Sequence, residues 1–412
     1  MLGRCKTKMT SEKKLIAAVF RGGGIGYDTV RSLYSHNIET YLLTSKKLND
    51  GKYPGAKMML CPSNLTPEGS NELVTFLNKY LAPGQNVVLI PTSDDSALFL
   101  AQKREQLDKR FLYLTPDASL IEALDNKMLF YELCNKHGLP YPQTWIVRNE
   151  SELDSVSREV TVPAILKPFR SRQWNELIGY KIAVAHSIEE LKTIIHKALS
   201  IGCETIIQDV IPGGPESIVF IGGLYDKDSS EVKLYVGRKL LQYPLNIGTT
   251  CFAELVWNQE VVDITNSFLK AIGYSGLIDI EFKYDKRDGK YKVIEINPRN
   301  GLWHRISDDG NCDITSYYVN WLCGKKDVVN NYTAHEEGRK WIYPYEHLCS
   351  RIEQKGFVMG IGQWFKDMSK TKLRCAWDIK DLYRDWRDSR VVFGHIRRLG
   401  IKTLISGNKL DI

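Results

Sequence analysis

Residues 276–299, GLIDIEFKYDKRDGKYKVIEINPR, constrain the fold more than any other stretch of the chain. Two runs rich in β-branched and aromatic residues flank KRDG, and Gly289 supplies the left-handed residue that a tight hairpin loop favours. Setting Glu281 opposite Glu295 places two carboxylates face to face with Cβ atoms ~5 Å apart, a pairing that destabilises a sheet on its own. Side chains alternate along a strand, so Glu295, Asn297 and Arg299 share one face, and Pro298 closes off the ladder. Either that face is solvated or a cation lies between the acids. Hard oxygen donors with no His or Cys beside them suit Mg²⁺, which takes one or two carboxylates together with substrate phosphates. Arg299, just beyond, is placed to neutralise a transferring phosphate.

At 412 residues the chain exceeds one ordinary core, and two or three domains are expected. No stretch approaches the ~20 apolar residues of a membrane span. The opening MLGRCKTKMTSEKK lacks the apolar region of a signal peptide, so a cytoplasmic location is expected. Nine cysteines, an odd number with no C-x-x-C pair, argue against a disulfide framework or a zinc site and read as small buried hydrophobes. The net charge of +7 is concentrated at one end. Residues 351–412 hold 14 Lys/Arg against 7 Asp/Glu, an excess equal to that of the whole chain.

Near the N-terminus, KLIAAVFRGGGIGYDTVRSLYSHNIETYLL reads as a strand over Leu15–Phe20, a glycine turn at Gly22–Gly26, a helix with Val30, Leu33 and Tyr34 on one face, and a second strand. NVVLIPTSDDSALFLAQKRE repeats the scheme, with Ser93 and Asp94 as helix-cap candidates. A small α/β domain with a parallel sheet is expected over roughly residues 12–120. The glycine turn fails the dinucleotide fingerprint, because Tyr27 and Thr29 stand where a third glycine is required. A tight turn that lets the helix pack close is the plainer reading. Farther on come a helix ending near Gly138, short strands in PAILKPF and YKIAVAH, and a Ser-capped helix in SIEELKTIIHKALSIG. Further strands then lead through a glycine-terminated helix into the hairpin.

Lys167 lies inside the apolar strand AILKPF, where lysine is rarely buried without an anionic partner. Lys127 opens a helix, where exposure and a phosphate contact are both open readings. QDVIPGGPE offers an Asp and a Glu around a Pro-Gly turn, either a nucleobase hinge followed by a ribose acid or a polar loop.

Taken in order, DNK, LKP, QDVIPGGPE and the DIEF…VIEINPRNG hairpin resemble the ATP-grasp ligases over roughly residues 12–325. The style looks most like the branch containing D-aspartate ligases and related carboxylate–amine ligases. Carbamoyl-phosphate synthase and biotin carboxylase share the motifs, but the doubled module of the first and a biotin-attachment signature are missing.

The resemblance implies an N-terminal α/β domain (1–120), a two-lobed ATP-grasp domain (121–325, small lobe about 142–212) and a basic, helical C-terminal extension (326–412). It implies that Lys127 and Lys167, with Ser171 in a lid, hold ATP phosphates. Gln208, Asp209, Val210 and Ile211 would form the hinge at adenine, and Glu216 would take the ribose. Glu281, Glu295 and Asn297 would hold one or two Mg²⁺, with Mn²⁺ an alternative. Arg299, and more loosely Arg238, would serve the reacting groups. His304 and Arg305, with Asp308 and Asp309 near them, are candidates for the substrate side.

The implied activity joins a carboxylate, activated as an acyl phosphate, to an amine. A nucleotide-binding scaffold without turnover and a carboxylase or carbamate-forming enzyme are the alternatives. One departure weighs on the first of these. The stretch after the second lysine, FRSRQWNELIG, lacks the family's glycine-rich phosphate loop before Gly179.

The tail mixes arginines with Trp364, Trp377, Tyr383 and Trp386. It reads either as an appendage packed on the core, or as a recognition element for an anionic nucleotide- or lipid-linked acceptor, with peripheral attachment to the membrane. Interleaved acids speak against nucleic acid as a partner, and a homodimer is compatible with the sequence.

Overall fold

A computed structural model describes residues 14–20, 23–45, 53, 55–64, 66–168, 182–245, 248–325, 327, 336–375 and 394. Three sheets organise them. The first is wholly parallel, in the order β3-β2-β1-β4-β5, from β1 (Ile16–Phe20), β2 (Glu39–Thr44), β3 (Ala56–Leu60), β4 (Val87–Ile90) and β5 (Phe111–Leu112). Helices α1 (Gly23–Ser35), α2 (Pro67–Tyr80) and α3 (Asp94–Gln102) cover it. This is the α/β arrangement that the alternating strand and helix signals predict. Two details differ. Helix α1 starts inside the glycine run rather than after it, and Tyr34 is exposed while Val30 and Leu33 are fully buried.

Helices α4 (Ala118–Asp125) and α5 (Lys127–Lys136) lead into a four-stranded antiparallel sheet ordered β6-β9-β7-β8. It is built from β6 (Thr144–Val147), β7 (Ala164–Pro168), β8 (Ala183–Ala185) and β9 (Thr205–Asp209), backed by α6 (Glu150–Val156) and α7 (Ile188–Ser200). Ser187 caps α7 by accepting from the Glu190 amide, with Glu189 and Glu190 in the first turn as the helix dipole favours.

The third sheet has seven strands in the order β14-β13-β10-β11-β12-β15-β16. Its members are β10 (Ile218–Tyr225), β11 (Glu231–Tyr243), β12 (Thr249–Leu255), β13 (Gly276–Asp285), β14 (Lys290–Asn297), β15 (Lys340–Ile342) and β16 (Leu373–Arg374). One face packs on α5 and α8 (Gln259–Ala271) through Val219, Val236, Val262, Phe268, Ile280 and Phe282. On the other face Phe220, Tyr235 and Leu277 join a core with Tyr27, Val30 and Leu33 of α1 and with Tyr318 of α9 (Ile314–Leu322). The parallel sheet is thus fastened to the large sheet by shared apolar burial.

The C-terminal region contains the expected helices, α10 (Pro344–Lys355) and α11 (Phe357–Lys370), but also the unforeseen β15 and β16, which extend the large sheet beyond β12. At the α10–α11 crossing a Cβ on Gly360 would lie 2.7 Å from the Arg351 carbonyl and the Ile352 backbone, so glycine permits the close approach. The same crossing buries His347 completely, with Nε2 3.1 Å from Asp367 Oδ2, while Arg351 donates to that oxygen at 2.7 Å.

Burial alone would raise the Asp367 carboxyl, but His347 and Arg351 hold it down to about 2. Burial pushes the His347 imidazole below its ordinary value. Both shifts are depressions, so each group binds its proton more weakly folded than unfolded, and acid destabilises the crossing through both. The histidine contribution is lost below about pH 6.5, and the aspartate contribution, about 2 kcal/mol, between about pH 4 and 2. The midpoint of thermal unfolding should therefore fall on acidification, and His347→Gln should flatten the upper part of that curve. A wild-type midpoint constant from about pH 7 to 5 would contradict this.

Candidate active site

The hairpin β13–β14 turns through Lys286–Gly289, with Gly289 at φ 71°. Glu281 stands opposite Glu295 and Asp279 opposite Asn297, but not by simple alternation. Near the turn Phe282 faces Val293, a register that would set Glu281 against Ile294. The register shifts between Glu281 and Phe282, leaving Ile294 as the extra residue of a β-bulge. The bulge swings Glu295 and Asn297 onto the face that carries Asp279 and Glu281.

These carboxylates crowd one another. Desolvation first, and then the Glu281 charge, raise the Glu295 carboxyl, although Glu295 itself keeps solvent access. Asp279 is 1 % exposed, and burial followed by Glu281 raises it well above the carboxylate range. The Asn297 amide donates to Asp279 Oδ2 at 3.3 Å, while Asp279 Oδ1 has no hydrogen-bond partner among the described residues. A face so rich in partly uncompensated oxygen fits a hard divalent cation bound together with phosphate oxygens. Among the described residues no three His, Cys, Asp or Glu side chains converge as a closed metal cage. The fit is to an open site that a substrate completes.

Cations surround the acids. Lys239 Nζ lies 2.6 Å from Glu281 Oε2, with both side chains under 10 % exposed, and 5.7 Å from the ring centre of Trp303. Arg299 donates to Asn297 Oδ1 at 2.9 Å and lies 3.1 Å, through Nε, from Asp94 Oδ1. Asp94 therefore acts as an anchor for Arg299 from the first turn of α3, and Ser93 alone is the cap, in a reciprocal pair with Ser96. Lys167 on β7 donates to Gln208 Oε1 at 2.9 Å, and Gln208 donates in turn to the Tyr131 hydroxyl at 2.8 Å. Burial and then the Lys127 charge lower the Lys167 ammonium to about 8, against the opposing pull of Glu295 and Glu281. The two lysines on separate elements thus lie within electrostatic range of each other and of the hairpin acids.

Other expected residues fall differently. Asp209 ends β9 and accepts from the Thr161 hydroxyl at 3.2 Å; Val210 is half-buried and Ile211 buried just beyond. Glu216 is exposed on a one-turn 3₁₀ helix, Pro215–Ser217. It lines a cavity of about 290 Å³ with Arg238, Trp257, Tyr284 and Tyr291.

Arg238 does not join the acids. It pairs in register with Val219, on the face packed against α8, and its guanidinium bonds Glu254. Its neighbour Lys239 takes the position at Glu281 instead, because successive residues of a strand point to opposite faces. His304 is fully buried, its Nδ1 3.0 Å from the Gly301 carbonyl and its ring held below the ordinary value by burial. It is a core residue in this fold, and of that pair only Arg305 keeps partial exposure, 3.9 Å from Asp308. Ser171 and the stretch 169–181 lie outside the described residues. A larger cavity of about 450 Å³, lined by Arg104, Tyr113, Thr115 and Lys227, contains none of the expected site residues.

Sequence reasoning missed Asp279, Lys239 and Asp94 as members of this cluster. Asp279 was legible, two residues before Glu281 and so on its face. The other two carried no local signal.

Comparison with known proteins places this geometry in context. No protein-family model matches the chain. Over 233 residues it is 32% identical to the D-aspartate ligase of Enterococcus faecium, covering 54% of this chain and 55% of that protein. The chain therefore spans about half the length of that relative. Among solved structures, the ADP complex of an N5-carboxyaminoimidazole ribonucleotide synthetase aligns with a TM-score of 0.58 at 14% identity, covering 76% of this chain and 78% of the other. An L-amino acid ligase from Bacillus licheniformis aligns with a TM-score of 0.57 at 14% identity, covering 76% of each chain.

Proposed function

We propose that this chain, whose fold is that of the ATP-grasp ligases, is an ATP- and Mg²⁺-dependent ligase that joins a carboxylate to an amine. The observation that carries the reading is the Glu281–Glu295 pair, brought onto one face by a bulge and ringed by Lys239, Arg299 and Lys167. That is an acid floor with cationic walls, suited to a nucleotide's phosphates and their counter-ion. The likeness to D-aspartate ligase supports the carboxylate–amine class. The catalytic part is assigned to residues 121–325, with 1–120 before it and 326–412 as an extension.

In this reading Glu281, Glu295 and Asn297 would hold Mg²⁺, with Asp279 behind them as a hydrogen-bonding support. The ion, when bound, would supply positive charge against the nucleotide's phosphates. Lys167, oriented by Gln208, and Lys127 meet the phosphates, and the hinge Asp209–Ile211 and Glu216 meet the nucleoside. Arg299, braced by Asp94 and Asn297, faces the charge that develops as the γ-phosphoryl group passes to the carboxylate. The amine then displaces phosphate from the acyl phosphate to give the amide. Catalysis by such a site is positioning and charge neutralisation.

The test is release of ADP and phosphate from Mg-ATP in the presence of a panel of amino acids and other amines, with a bicarbonate arm. ADP release that requires a carboxylate together with an amine is expected. ADP release driven by bicarbonate alone would move the assignment to the carboxylases. ATP binding with no substrate-dependent turnover across the panel would favour a nucleotide-binding scaffold, the reading suggested by the glycine-poor stretch after Lys167.

A further inference from the structure

Among the described residues, helix α11 buries only Gly360, Asp367 and Met368. Its outward side is apolar. Phe357 is 42 % exposed, Val358 81 %, Met359 67 % and Phe365 62 %. Four of the largest exposed hydrophobics thus fall within nine consecutive residues. Phe357, Ile361 and Phe365 recur at four-residue spacing and share a stripe, with Val358 beside it.

The neighbouring sector carries Lys366 and Lys370, both exposed, and Lys372 follows just past the helix end. The helix's one acid, Asp367, is turned inward to Arg351 and His347. Every exposed charge on α11 is therefore positive. The helix is held rigidly, by the close approach at Gly360 and by the Trp364 indole donating to the Pro344 carbonyl at 2.8 Å.

We propose that this face of α11 docks on an anionic lipid bilayer, the apolar stripe entering the headgroup region and the lysines meeting lipid phosphates. A helix with an aromatic and aliphatic face flanked by lysine has the chemistry of an interfacial helix. A second copy of the chain is the competing occupant, and the charge pattern disfavours it. Pairing the face with itself sets lysines near lysines, with no exposed acid on the helix to compensate. The proposal is independent of the ligase assignment.

The experiment is co-sedimentation of the full chain with vesicles of phosphatidylcholine alone or mixed with phosphatidylglycerol. Binding is expected only to the mixed vesicles, weakened by ~0.5 M salt, which shortens the reach of the lysine charges. The double variant Val358→Asp/Phe365→Asp should lower the bound fraction by about fivefold or more, and Lys366→Glu/Lys370→Glu should abolish the preference for anionic lipid. Val358→Ser/Phe365→Ser serves if the aspartates perturb folding, with an unchanged midpoint of thermal unfolding as the control. Failure of the wild-type chain to bind mixed vesicles would overturn the proposal, as would undiminished binding by the stripe variants. So would a dimer in light scattering that the stripe substitutions dissociate, which would give the face to a second copy.

Discussion

Glu295→Ala is expected to lower substrate-dependent ADP release by about 10²-fold or more while leaving the protein as stable as the wild type, or more so. The two halves of this expectation have separate causes. Activity falls because one of two carboxylates that would hold the counter-ion against the transferring phosphate is removed, at a place where charge stabilisation is most of catalysis. Stability holds because Glu295 is an unfavourable neighbour in the folded chain. Desolvation and the facing Glu281 raise its carboxyl, so the folded state resists its ionisation. Removing it relieves that repulsion and leaves Lys239 to Glu281 alone. ADP release measured beside urea unfolding decides the matter. Activity within a few-fold of wild type would sink the ion-ligand role. A large loss of stability would show that Glu295 instead holds the hairpin together.

Lys239→Met should do the reverse to the isolated protein, destabilising it by about 3 kcal/mol or more. Methionine keeps most of the length but removes the ammonium that lies 2.6 Å from Glu281 and 5.7 Å from the Trp303 ring centre. Glu281 is then a nearly buried carboxylate facing Glu295, with Asp279 on the same face and no cation in contact among the described residues. Breaking such a pair from one side costs far more than the pair contributes, because the remaining charge stays desolvated. Mg²⁺ offers a discriminating arm. If the acid floor binds the ion, adding Mg²⁺ with nucleotide should recover a measurable part of the lost stability in Lys239→Met, by a cation replacing a cation. Urea midpoints with and without Mg-ATP supply the comparison. A loss below about 1 kcal/mol would mean that water already reaches Glu281 well enough to solvate it.

The parts of this site that were legible share one property: local periodicity carried them. The strand runs around KRDG, the parity of Glu295, Asn297 and Arg299, and the Ser cap of α7 each follow from a few adjacent residues. The pairing of Glu281 with Glu295 is a subtler case. Period-two alternation from the turn sets Glu281 against Ile294, and only the bulge restores the acid pair. Lys239 was hidden for a related reason. Strand β11 shifts register after Lys239 and again after Leu241, so its inward residues cannot be counted off from sequence. Arg238, the looser candidate for the reacting groups, belongs to the opposite face. Asp94 reads locally as a helix-start residue, and its tie to Arg299 spans 205 positions. His304 drew notice beside a polar wall, yet its burial depends on α1 and α9 packing over it, which no pattern around residue 304 announces.

Strand β15 bears on how the chain reaches its folded state. It pairs with β12, and its Trp341 is fully buried in the same core as Tyr27 of α1 and Phe220 of β10. Residues some three hundred positions apart in sequence must therefore meet before that core closes. Contacts of such long range form late, since the intervening chain must first give up its freedom. During synthesis the hairpin and its acids emerge well before Trp341 does. A ribosome-bound chain halted short of residue 340 should thus leave open the part of this core that Trp341 covers, in a form that chaperones bind and proteases cut. The site is encoded early and becomes rigid only once Trp341 has joined the core.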